Sequence, residues 1–597
     1  MKINWKWMTL CAPLAFAVGC GSGGNSSMGS SLTLSLANTS PQAFQGQPAI
    51  TDNVTLTRTG TIGNVTVTVS GLPQGATDTI SSPGSGTSGS ISFDAGTAAA
   101  GTYSLTISAS DGTTSAQANA SLTIGAAAVI SSSTSRPFSV AMSTSFQPAE
   151  WDDLFFTMNP DATTTLGNLN PHHIRLQAVS QGVPQGSEGS SSQAWNFSIV
   201  DAITQPVLGV GDHSPEFQIA KAPAFMYVND DDSDSFSDLT FSQFAGYAQN
   251  LVQYYDTASG FTANGTQYVS PGYAKGETVT WWGIYNEPNV NNSLTPSEYV
   301  TMYNTVVPAM QTIDPNLKFV ALELADFYGQ VANWVPPFVQ GVTAHVDVMA
   351  THFYSTCDQT TTDTDVFNSV PTFVTDVNTF YTQMGTNPAL AAVPVWVTEN
   401  NVNADYELSD GTSSCNAGQK FVTDLRGSSP FFAAWRPYVF SQLGKAGIQA
   451  LYHWDFGADQ QYGEVSYSND ALQLSYWVDY WLGQIFPPTA GSQLLATTAS
   501  DDAELETLAV INSDHSVTIM VSNHAVNDPS TDNNGPGAPR TVLIDVSALG
   551  TFSTGTLTTI DASTSVSSGP IPASVAPAPQ MTITLNGYGV AFLQLHP

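Results

Sequence analysis

Residues 279–290 read VTWWGIYNEPNV, a strand-like run that ends in a carboxylate. Its first half is rich in β-branched and aromatic residues, which favour a buried β-strand. Pro288 has no amide proton to donate to a neighbouring strand, so we expect the strand to end where Glu287 stands. Barrels built from βα units carry their reactive groups at the C-terminal ends of the strands. The run therefore predicts a carboxylate at the mouth of such a barrel.

The surrounding segment, residues 136–487, alternates strand-like and helix-length stretches, which is the pattern of repeated βα units. Helix-length stretches follow each strand-like one, the first of them at 149–157. Eight such units in roughly 350 residues predict a (β/α)8 TIM barrel whose fourth strand ends at Glu287. The strand-like stretches lie at 137–143, 173–179, 216–222, 279–286, 318–325, 346–354, 393–400 and 448–456.

Both flanks of the barrel segment are expected to be β-rich, which makes the chain multidomain. Residues 31–125 contain short alternating runs with turn residues about every ten positions, which predicts an immunoglobulin-like β-sandwich. This segment has no Trp and a single Tyr, Tyr103, and aromatic platforms are what sugar rings stack on. We therefore favour a spacer over a carbohydrate-binding module. Residues 488–597 again read as strands and predict a C-terminal β-sandwich.

The charge of the chain limits its partners. It has 597 residues, 13 Lys and Arg against 48 Asp and Glu, and a formal net charge of −35. Nucleic acid and anionic membrane surfaces would repel such a protein, so neither is an expected partner. Only 10% of the residues are charged, and this polar, weakly charged composition suits an exported protein.

The N-terminus predicts export. Lys2 and Lys6 precede an apolar run over 8–18 that is too short to span a bilayer, which indicates a signal peptide over 1–20. Its last four residues, AVGC, resemble a bacterial lipoprotein box in which Cys20 is lipidated. Residues 21–30 would then be a flexible tether, and the lipid on Cys20 would be the only membrane contact. We expect a cell-surface or outer-membrane lipoprotein; cleavage after Ala17 would instead give a secreted protein.

Cys357 and Cys415 follow predicted barrel strands, so both should lie in loops at one end of the barrel. Export permits a disulfide between them, and two cysteines alone are too few ligands for a metal site. The acidic run 228–238, VNDDDSDSFSD, lacks the Gly at the sixth and the Glu at the twelfth position of an EF-hand loop. We expect a solvated loop there, with no metal and no cofactor in the protein.

A second carboxylate, Glu399, ends the predicted seventh strand. On a closed barrel it would face Glu287 across the mouth, although the two lie 112 residues apart in sequence. Two facing carboxyl groups are what glycoside hydrolysis requires, since one protonates the departing oxygen while the other attacks or directs water. The pair therefore predicts a glycosidase site.

Four short motifs stand out in the region from residue 137 to the C-terminus. They are WWGIYNEPN at 281–289, WVTEN at 396–400, HFY at 352–354 and Trp-Asn-Phe-Ser-x-x-Asp at 195–201. With these motifs the region resembles glycoside hydrolase clan A, and within it family 39 most closely. By this resemblance Glu287 is the acid/base, Glu399 is the nucleophile and the enzyme is retaining.

The same resemblance implies further roles. Asn286 should bond the sugar 2-hydroxyl, and Arg175 should keep the nucleophile ionised. Trp454 should form the floor of the subsite that holds the sugar at the cleaved bond. His352 and Tyr354 should orient the carboxylates or the sugar. The chain departs from family 39 after Arg175, where Leu-Gln-Ala stands instead of an aromatic residue and His-Gly.

We expect a retaining hydrolase that cleaves β-glycosidic bonds of an extracellular poly- or oligosaccharide. A xylan-type or other neutral glycan is favoured, because basic residues for uronate recognition are scarce. One alternative is a β-glucan or a uronic-acid glycan, with Lys221 at the end of the third strand as the carboxylate ligand. Another is a non-catalytic, surface glycan-binding lipoprotein, against which the presence of both Glu287 and Glu399 argues.

Overall fold

The structure, a computed structural model, separates the chain into two compact units. One runs up to Ala43 and over Pro48–Thr123, and the other comprises Phe44–Gln47 and Ile124–Pro597. The predicted signal peptide, Cys20 and tether residues 21–28 lie outside the described residues. None of the described helices is long and apolar enough to cross a membrane. The described residues are 29–146, 155–177, 184–185, 194–211, 213–231, 233–290, 294–325, 329–528 and 533–597.

Antiparallel strands form the N-terminal part of the chain. They are β1 (Ser31–Leu36), β2 (Gln42–Phe44), β3 (Ile50–Thr59), β4 (Thr66–Ser70), β5 (Thr77–Ser81), β6 (Ser88–Asp94), β7 (Gly101–Ser110) and β8 (Ser115–Pro137). In β3 the alternate residues Asp52, Val54 and Leu56 are buried, which is the period of two that the sequence shows. One sheet has the order β1-β3-β6-β5, and β4 pairs with β7. The predicted β-rich segment is confirmed as antiparallel sheet; its immunoglobulin-like arrangement stays a prediction.

The centre of the chain is a closed parallel barrel, as predicted. Its strands follow the order β10-β11-β14-β15-β16-β17-β18-β9, so that β14 is the fourth and β17 the seventh in chain order. The strands of this segment are β9 (Ala141–Phe146), β10 (Ile174–Leu176), β11 (Glu216–Ile219), the hairpin β12 (Phe261–Ala263) and β13 (Thr266–Tyr268), β14 (Trp281–Ile284), β15 (Lys318–Ala325), β16 (Val348–Thr356), β17 (Val395–Asn403), β18 (Ala450–His453), and the short pair β19 (Gly457–Ala458) and β20 (Val465–Ser466).

Helices follow the barrel strands. They are α1 (Phe155–Met158), α2 (Ala162–Leu169), α3 (Ser198–Leu208), α4 (Ser242–Asp256), α5 (Pro296–Gln311), α6 (Val331–Gly341), α7 (Asp363–Met384), α8 (Pro430–Ala446) and α9 (Leu474–Ile485). Local chemistry starts them: in α5, Thr295 and Glu298 form a reciprocal capping box around Pro296. The sequence pattern missed α2, whose ATTTLGNL is rich in poor helix formers. The predicted helix at 149–157 falls mostly outside the described residues.

The C-terminal segment forms a largely antiparallel sheet. Its strands are β21 (Gln493–Ala499), β22 (Leu505–Ile511), β23 (Val517–Asn523), β24 (Arg540–Asp545), β25 (Thr554–Asp561), β26 (Ala573–Val575), β27 (Gln580–Leu585) and β28 (Gly589–His596). The later part of β8 joins this sheet, parallel to β24 and antiparallel to β21. The sheet packs on α8, where the Ser522 hydroxyl donates to the carbonyl of Ala434 at 2.8 Å. The β-rich C-terminal segment is thus confirmed as sheet.

Aromatic side chains fill the barrel below the mouth. Trp281 and Trp282 point to opposite sides of β14, as the alternation of a strand requires. Trp282 packs outward with Phe217 at 5.2 Å between ring centroids, whereas Trp281 lies 4.9 Å from Trp396 in the interior cluster. The bottom of the barrel is therefore closed by rings, and polar side chains gather at the C-terminal ends of the strands.

Candidate active site

Glu287 lies three residues beyond β14, on a backbone that turns sharply. Tyr285 has φ of 70° and Glu287 has φ of 45°, values that non-glycine residues seldom adopt outside functional sites. The amide of Glu287 donates to the carbonyl of Glu323 at 3.1 Å, which fixes the turn. The Glu287 side chain keeps 20% of its exposure, and its Oε1 lies 2.8 Å from Nδ1 of His352. The turn thus places a partly accessible carboxyl group at the mouth.

Glu399 stands in β17 and is held at both oxygens. Arg175 donates from Nη1 to Oε1 at 3.0 Å, and the Tyr354 hydroxyl donates to Oε2 at 2.8 Å. His352 Nδ1 is 3.5 Å from the same Oε2. Only 6% of the Glu399 side chain is exposed, so these partners, rather than water, stabilise its charge.

The two carboxyl groups converge. One oxygen of Glu287, one oxygen of Glu399 and a ring nitrogen of His352 lie within 4.8 Å of one another. Retaining glycosidases have their carboxyl groups about 5–5.5 Å apart, and inverting enzymes need about 6.5–9.5 Å to admit a water. The spacing therefore suits direct attack by one carboxylate.

The environments of the two carboxyl groups differ. Burial raises the pKa of Glu287 to about 7, against a smaller opposing effect of Arg175. Burial and the charge of Glu287 raise the pKa of Glu399, while His352, Arg175 and the Tyr354 hydrogen bond oppose that rise. Glu399 thus has three partners that favour its anion, while Glu287 holds a proton near neutral pH.

His352 is neutral at neutral pH, because burial lowers its pKa to about 4. A neutral imidazole nitrogen can donate to an ionised carboxylate or accept from a protonated carboxyl group, depending on its tautomer. His352 can therefore stay bonded to Glu287 in either protonation state.

Arg175 comes from β10 and is fully buried. It donates from Nη2 to Oδ1 of Asn286 at 2.8 Å. This bond fixes the orientation of the Asn286 amide, whose NH2 group points away from Arg175. Burial opposes the charge of Arg175, but Glu323, Glu399 and Glu216 outweigh it and hold the pKa of the guanidinium above its ordinary value. The cation is therefore permanent.

Trp454 lies at the end of β18, where a cis peptide bond joins it to Asp455. Its carbonyl accepts from the side-chain amide of Asn401 at 2.6 Å. The guanidinium carbon of Arg175 lies 6.0 Å from the centre of the Trp454 ring, at the limit of a cation–π contact. The half-buried ring is therefore part of the same mouth.

The structure confirms the disulfide between Cys357 and Cys415, with Cα atoms 5.9 Å apart. It joins the loops after β16 and β17, where Asn416 also donates to the carbonyl of Cys357 at 2.9 Å. Lys221 stands two residues beyond β11, at the same end of the barrel. Its part in binding stays a prediction.

Two clusters among the described residues have the donor types of a metal site: Glu287 with His352 and Glu399, and His453 with Glu464 and Asp479. In each, an arginine already supplies positive charge. Arg175 donates to Glu399 at 3.0 Å, and Arg436 donates to Asp479 at 2.9 Å. Both clusters therefore fit a fixed guanidinium better than a divalent cation.

The sequence patterns missed two buried carboxyl groups, Glu216 and Glu323, near Arg175. Glu323 Oε1 accepts from Arg175 Nε at 2.8 Å. A signal for Glu323 was present, since a charged residue inside the otherwise apolar run KFVALELA requires a partner when it is buried.

Comparison with known proteins agrees with this geometry. Residues 249–427, which include Glu287, His352 and Glu399, match the family described as glycosyl hydrolase catalytic core. No curated protein matches the sequence.

Three similar solved structures each cover 79% of this chain. A GH39 enzyme from Xanthomonas axonopodis pv. citri has a TM-score of 0.53 at 13% identity, with 97% of its own chain covered. A monomeric beta-xylosidase from Caulobacter crescentus CB15 has a TM-score of 0.52 at 15% identity, with 99% covered. A GH51 alpha-L-arabinofuranosidase from Thermotoga petrophila RKU-1 has a TM-score of 0.52 at 14% identity, with 99% covered. At such identities the likeness is one of fold.

Proposed function

Because the chain carries the catalytic core of a glycoside hydrolase, we propose that it cleaves β-glycosidic bonds of an extracellular poly- or oligosaccharide with retention of configuration. Glu287 is the acid/base and Glu399 the nucleophile. The observation that supports this most is the approach of their carboxyl oxygens to within 4.8 Å at the mouth of the barrel.

In the first step the Glu399 carboxylate attacks the anomeric carbon and forms an ester with the sugar. The bond from that carbon to the leaving oxygen breaks, and Glu287 transfers its proton to this oxygen. The raised pKa of Glu287, about 7, keeps that proton available near neutral pH. Its 20% exposure lets the leaving group reach it.

In the second step Glu287, now ionised, takes a proton from water. The resulting nucleophile attacks the anomeric carbon, and Glu399 leaves as a carboxylate. Esterification has removed the negative charge of Glu399 in the meantime, which favours the ionised form of Glu287. The same residue therefore acts as acid and then as base.

Neighbouring groups orient the reacting atoms. The NH2 end of Asn286 is directed by Arg175 and donates to the 2-hydroxyl of the sugar. The hydroxyl of Tyr354 holds Glu399 Oε2 at 2.8 Å, so that Oε1 or Oε2 attacks from a fixed position. The ring of Trp454 forms the apolar floor on which the sugar stacks.

A xylan-type or other neutral glycan is the proposed substrate. Among the solved structures of similar fold, one is the beta-xylosidase from Caulobacter crescentus and another is a GH30 xylanase from Talaromyces cellulolyticus, with a TM-score of 0.51 at 13% identity. Only 13 Lys and Arg residues occur in the chain, and Arg175 already pairs with carboxylates inside the barrel. The position of Lys221 after β11 favours a uronic-acid glycan as the second candidate.

We also propose that the protein is exported and anchored through a lipid on Cys20. The disulfide between Cys357 and Cys415 supports an oxidising compartment. Cell fractionation tests the anchor: the wild type should partition with membranes and Cys20→Ser should not. Equal partitioning of both would leave free secretion as the better account.

The mechanism is tested with Glu287→Ala and Glu399→Ala on activated aryl β-glycosides and on xylan. Azide should restore turnover of Glu287→Ala and yield a β-glycosyl azide, because a small anion can then attack the glycosyl ester without a base. It should give the α-azide with Glu399→Ala, in which the anion replaces the nucleophile. An α-azide from Glu287→Ala, or wild-type rates in either variant, would contradict the proposed roles.

A further inference from the structure

A buried glutamate on the fifth strand contacts both the acid/base and the arginine that bonds the nucleophile. Oε1 of Glu323 accepts from Arg175 Nε at 2.8 Å, and Arg175 in turn bonds Glu399. The carbonyl of the same Glu323 accepts the amide of Glu287 at 3.1 Å. The side chain of Glu323 thus bonds Arg175, the partner of the nucleophile, and its main chain bonds Glu287, the acid/base.

The backbone of β15 is shaped for this contact. Leu322 and Glu323 have φ of 76° and 44°, and the pairing of β15 with β16 shifts register between Ala321 and Leu324. Such an irregularity re-aims a side chain within a strand. Two successive non-glycine residues at positive φ are strained, so the surrounding contacts must hold them there.

A third carboxyl group completes the layer below Arg175. Glu216 on β11 is fully buried, and a Cβ atom placed on Gly283 would lie 2.5 Å from Glu323 Oε2 and 3.0 Å from Glu216 Oε1. Glycine at 283 therefore makes room for both carboxyl groups. Burial, and then the charge of Glu323, raise the pKa of Glu216 well above its ordinary value against the opposing effect of Arg175. Arg175 makes its ion pairs with Glu323, at 2.8 Å, and with Glu399, at 3.0 Å.

We propose that Glu323 is a positioning residue for hydrolysis, which holds Arg175 in register with Glu399 through its carboxylate and holds Glu287 through its main chain. This inference rests on the proposed function. The residue touches no substrate atom and acts through Arg175 and the turn at Glu287.

The planar guanidinium explains why this partner is needed. Its fork bonds Glu323 from Nε, Glu399 from Nη1 and Asn286 from Nη2, at 2.8, 3.0 and 2.8 Å. Without the bond at Nε, only the two groups that must adjust during reaction would orient the fork. The charge of Arg175 would also be neutralised by Glu399 alone and would stabilise its carboxylate more strongly. A more strongly stabilised carboxylate is a weaker nucleophile.

Glu323→Gln is the main test, because the amide oxygen can still accept from Arg175 while the charge is lost. We expect kcat/KM on an aryl β-glycoside to fall about 10-fold, because the hydrogen bond is kept but its acceptor loses its charge. In this variant no anion at position 323 offsets the charge of Arg175. Arg175 should therefore lower the pKa of Glu399 and of Glu287 more than it does in the wild type. Both limbs of the pH–rate profile should therefore move to lower pH, a change that a merely structural role would not produce.

Gly283→Ala is the second variant, since it keeps the charge of Glu323 and displaces its carboxylate. Its kcat/KM should fall as well, with limbs that move less than in Glu323→Gln. The control is Asp256→Asn: Asp256 is a partly buried carboxyl group that accepts the amide of Val279 at 2.7 Å, at the end of β14 away from the mouth. It should alter the thermal midpoint without moving either limb.

Unmoved limbs in a folded Glu323→Gln would overturn the inference, whatever the rate. If that variant does not fold, an unchanged kcat/KM in Gly283→Ala overturns it. Azide rescue of Glu287→Ala reports on the proposed function with Glu323 intact, so the two failures are distinguishable: absent rescue refutes the mechanism, and an unaltered Glu323→Gln refutes only the positioning.

Discussion

Tyr354→Phe is the sharpest test of how Glu399 is kept ionised. The hydroxyl of Tyr354 donates to Glu399 Oε2 at 2.8 Å inside the barrel, and this bond lowers the pKa of Glu399. Phenylalanine retains the ring and its packing and removes only the donor. The perturbation therefore falls on the charged form of the nucleophile.

The size of the effect follows from the partners. A hydrogen bond to a charged group contributes about 1.5–3 kcal/mol. Since one pKa unit corresponds to about 1.4 kcal/mol, loss of the whole contribution raises the pKa of Glu399 by about one to two units. Arg175 and His352 remain, so we expect a shift nearer the lower figure. Activity requires ionised Glu399, so the acidic limb of kcat/KM must move to higher pH by about one unit.

The assay is the pH dependence of kcat/KM on an aryl β-glycoside, with circular dichroism to verify folding. Tyr303→Phe is a matched control, because Tyr303 is a fully buried tyrosine whose hydroxyl donates to the carbonyl of His345 at 3.0 Å, far from the catalytic pair in the βα unit that follows β14. It should lose stability without moving the acidic limb. An acidic limb in Tyr354→Phe that coincides with that of the wild type would refute this account of the nucleophile.

Three further predictions follow from the same geometry. The wild type should have a basic limb near pH 7, because burial raises the pKa of Glu287 to about 7, and Glu287→Gln should abolish this limb. The same variant should slow substrates with poor leaving groups far more than activated aryl glycosides, which a comparison of leaving groups would measure. Replacing Cys357 and Cys415 by Ser should lower the free energy of unfolding by about 4 kcal/mol, since the bond closes a loop of 58 residues; a denaturant titration measures this, and kcat near the wild-type value is expected. Lys221→Ala should leave turnover of neutral xylo-oligosaccharides within about twofold; a loss of tenfold or more confined to glucuronate-bearing substrates would favour the uronic-acid alternative.

The barrel and the convergence of Glu287 and Glu399 could be predicted from the sequence because both depend on local patterns. Eight alternations of strand and helix number the strands, and Pro288 marks where the fourth one ends. Once the strands are numbered, closure of the barrel places Glu287 and Glu399 on the same face whatever their separation in sequence. The bounds were less accurate: the first strand lies at Ala141–Phe146, a few residues after the predicted 137–143.

Other features depend on contacts between distant segments, which no local pattern reports. The later half of β8 pairs with strands more than 350 residues away, so its membership of the C-terminal sheet is decided by tertiary contacts. Glu323 points inward only because the register of β15 shifts, and that shift exists only in the pairing with β16. The need for glycine at position 283 likewise depends on two carboxyl groups from the neighbouring strands, which occupy the space that a side chain would take.

The charges at the mouth of the barrel explain why Glu287, Glu323 and Glu399 lie near one arginine. In the free enzyme, Arg175 forms ion pairs with Glu323 and Glu399, while burial raises the pKa of Glu287 to about 7 and so favours its protonated form. In the proposed first step Glu399 becomes an ester as Glu287 gives up its proton, so the negative charge moves from one carboxyl group to the other and the total is unchanged. His352 Nδ1 lies 2.8 Å from Glu287 and 3.5 Å from Glu399, so a neutral ring can follow this transfer without charging. The free enzyme and the ester intermediate then contain the same number of buried charges. A double displacement in a largely desolvated site requires this, because an additional buried charge would be costly.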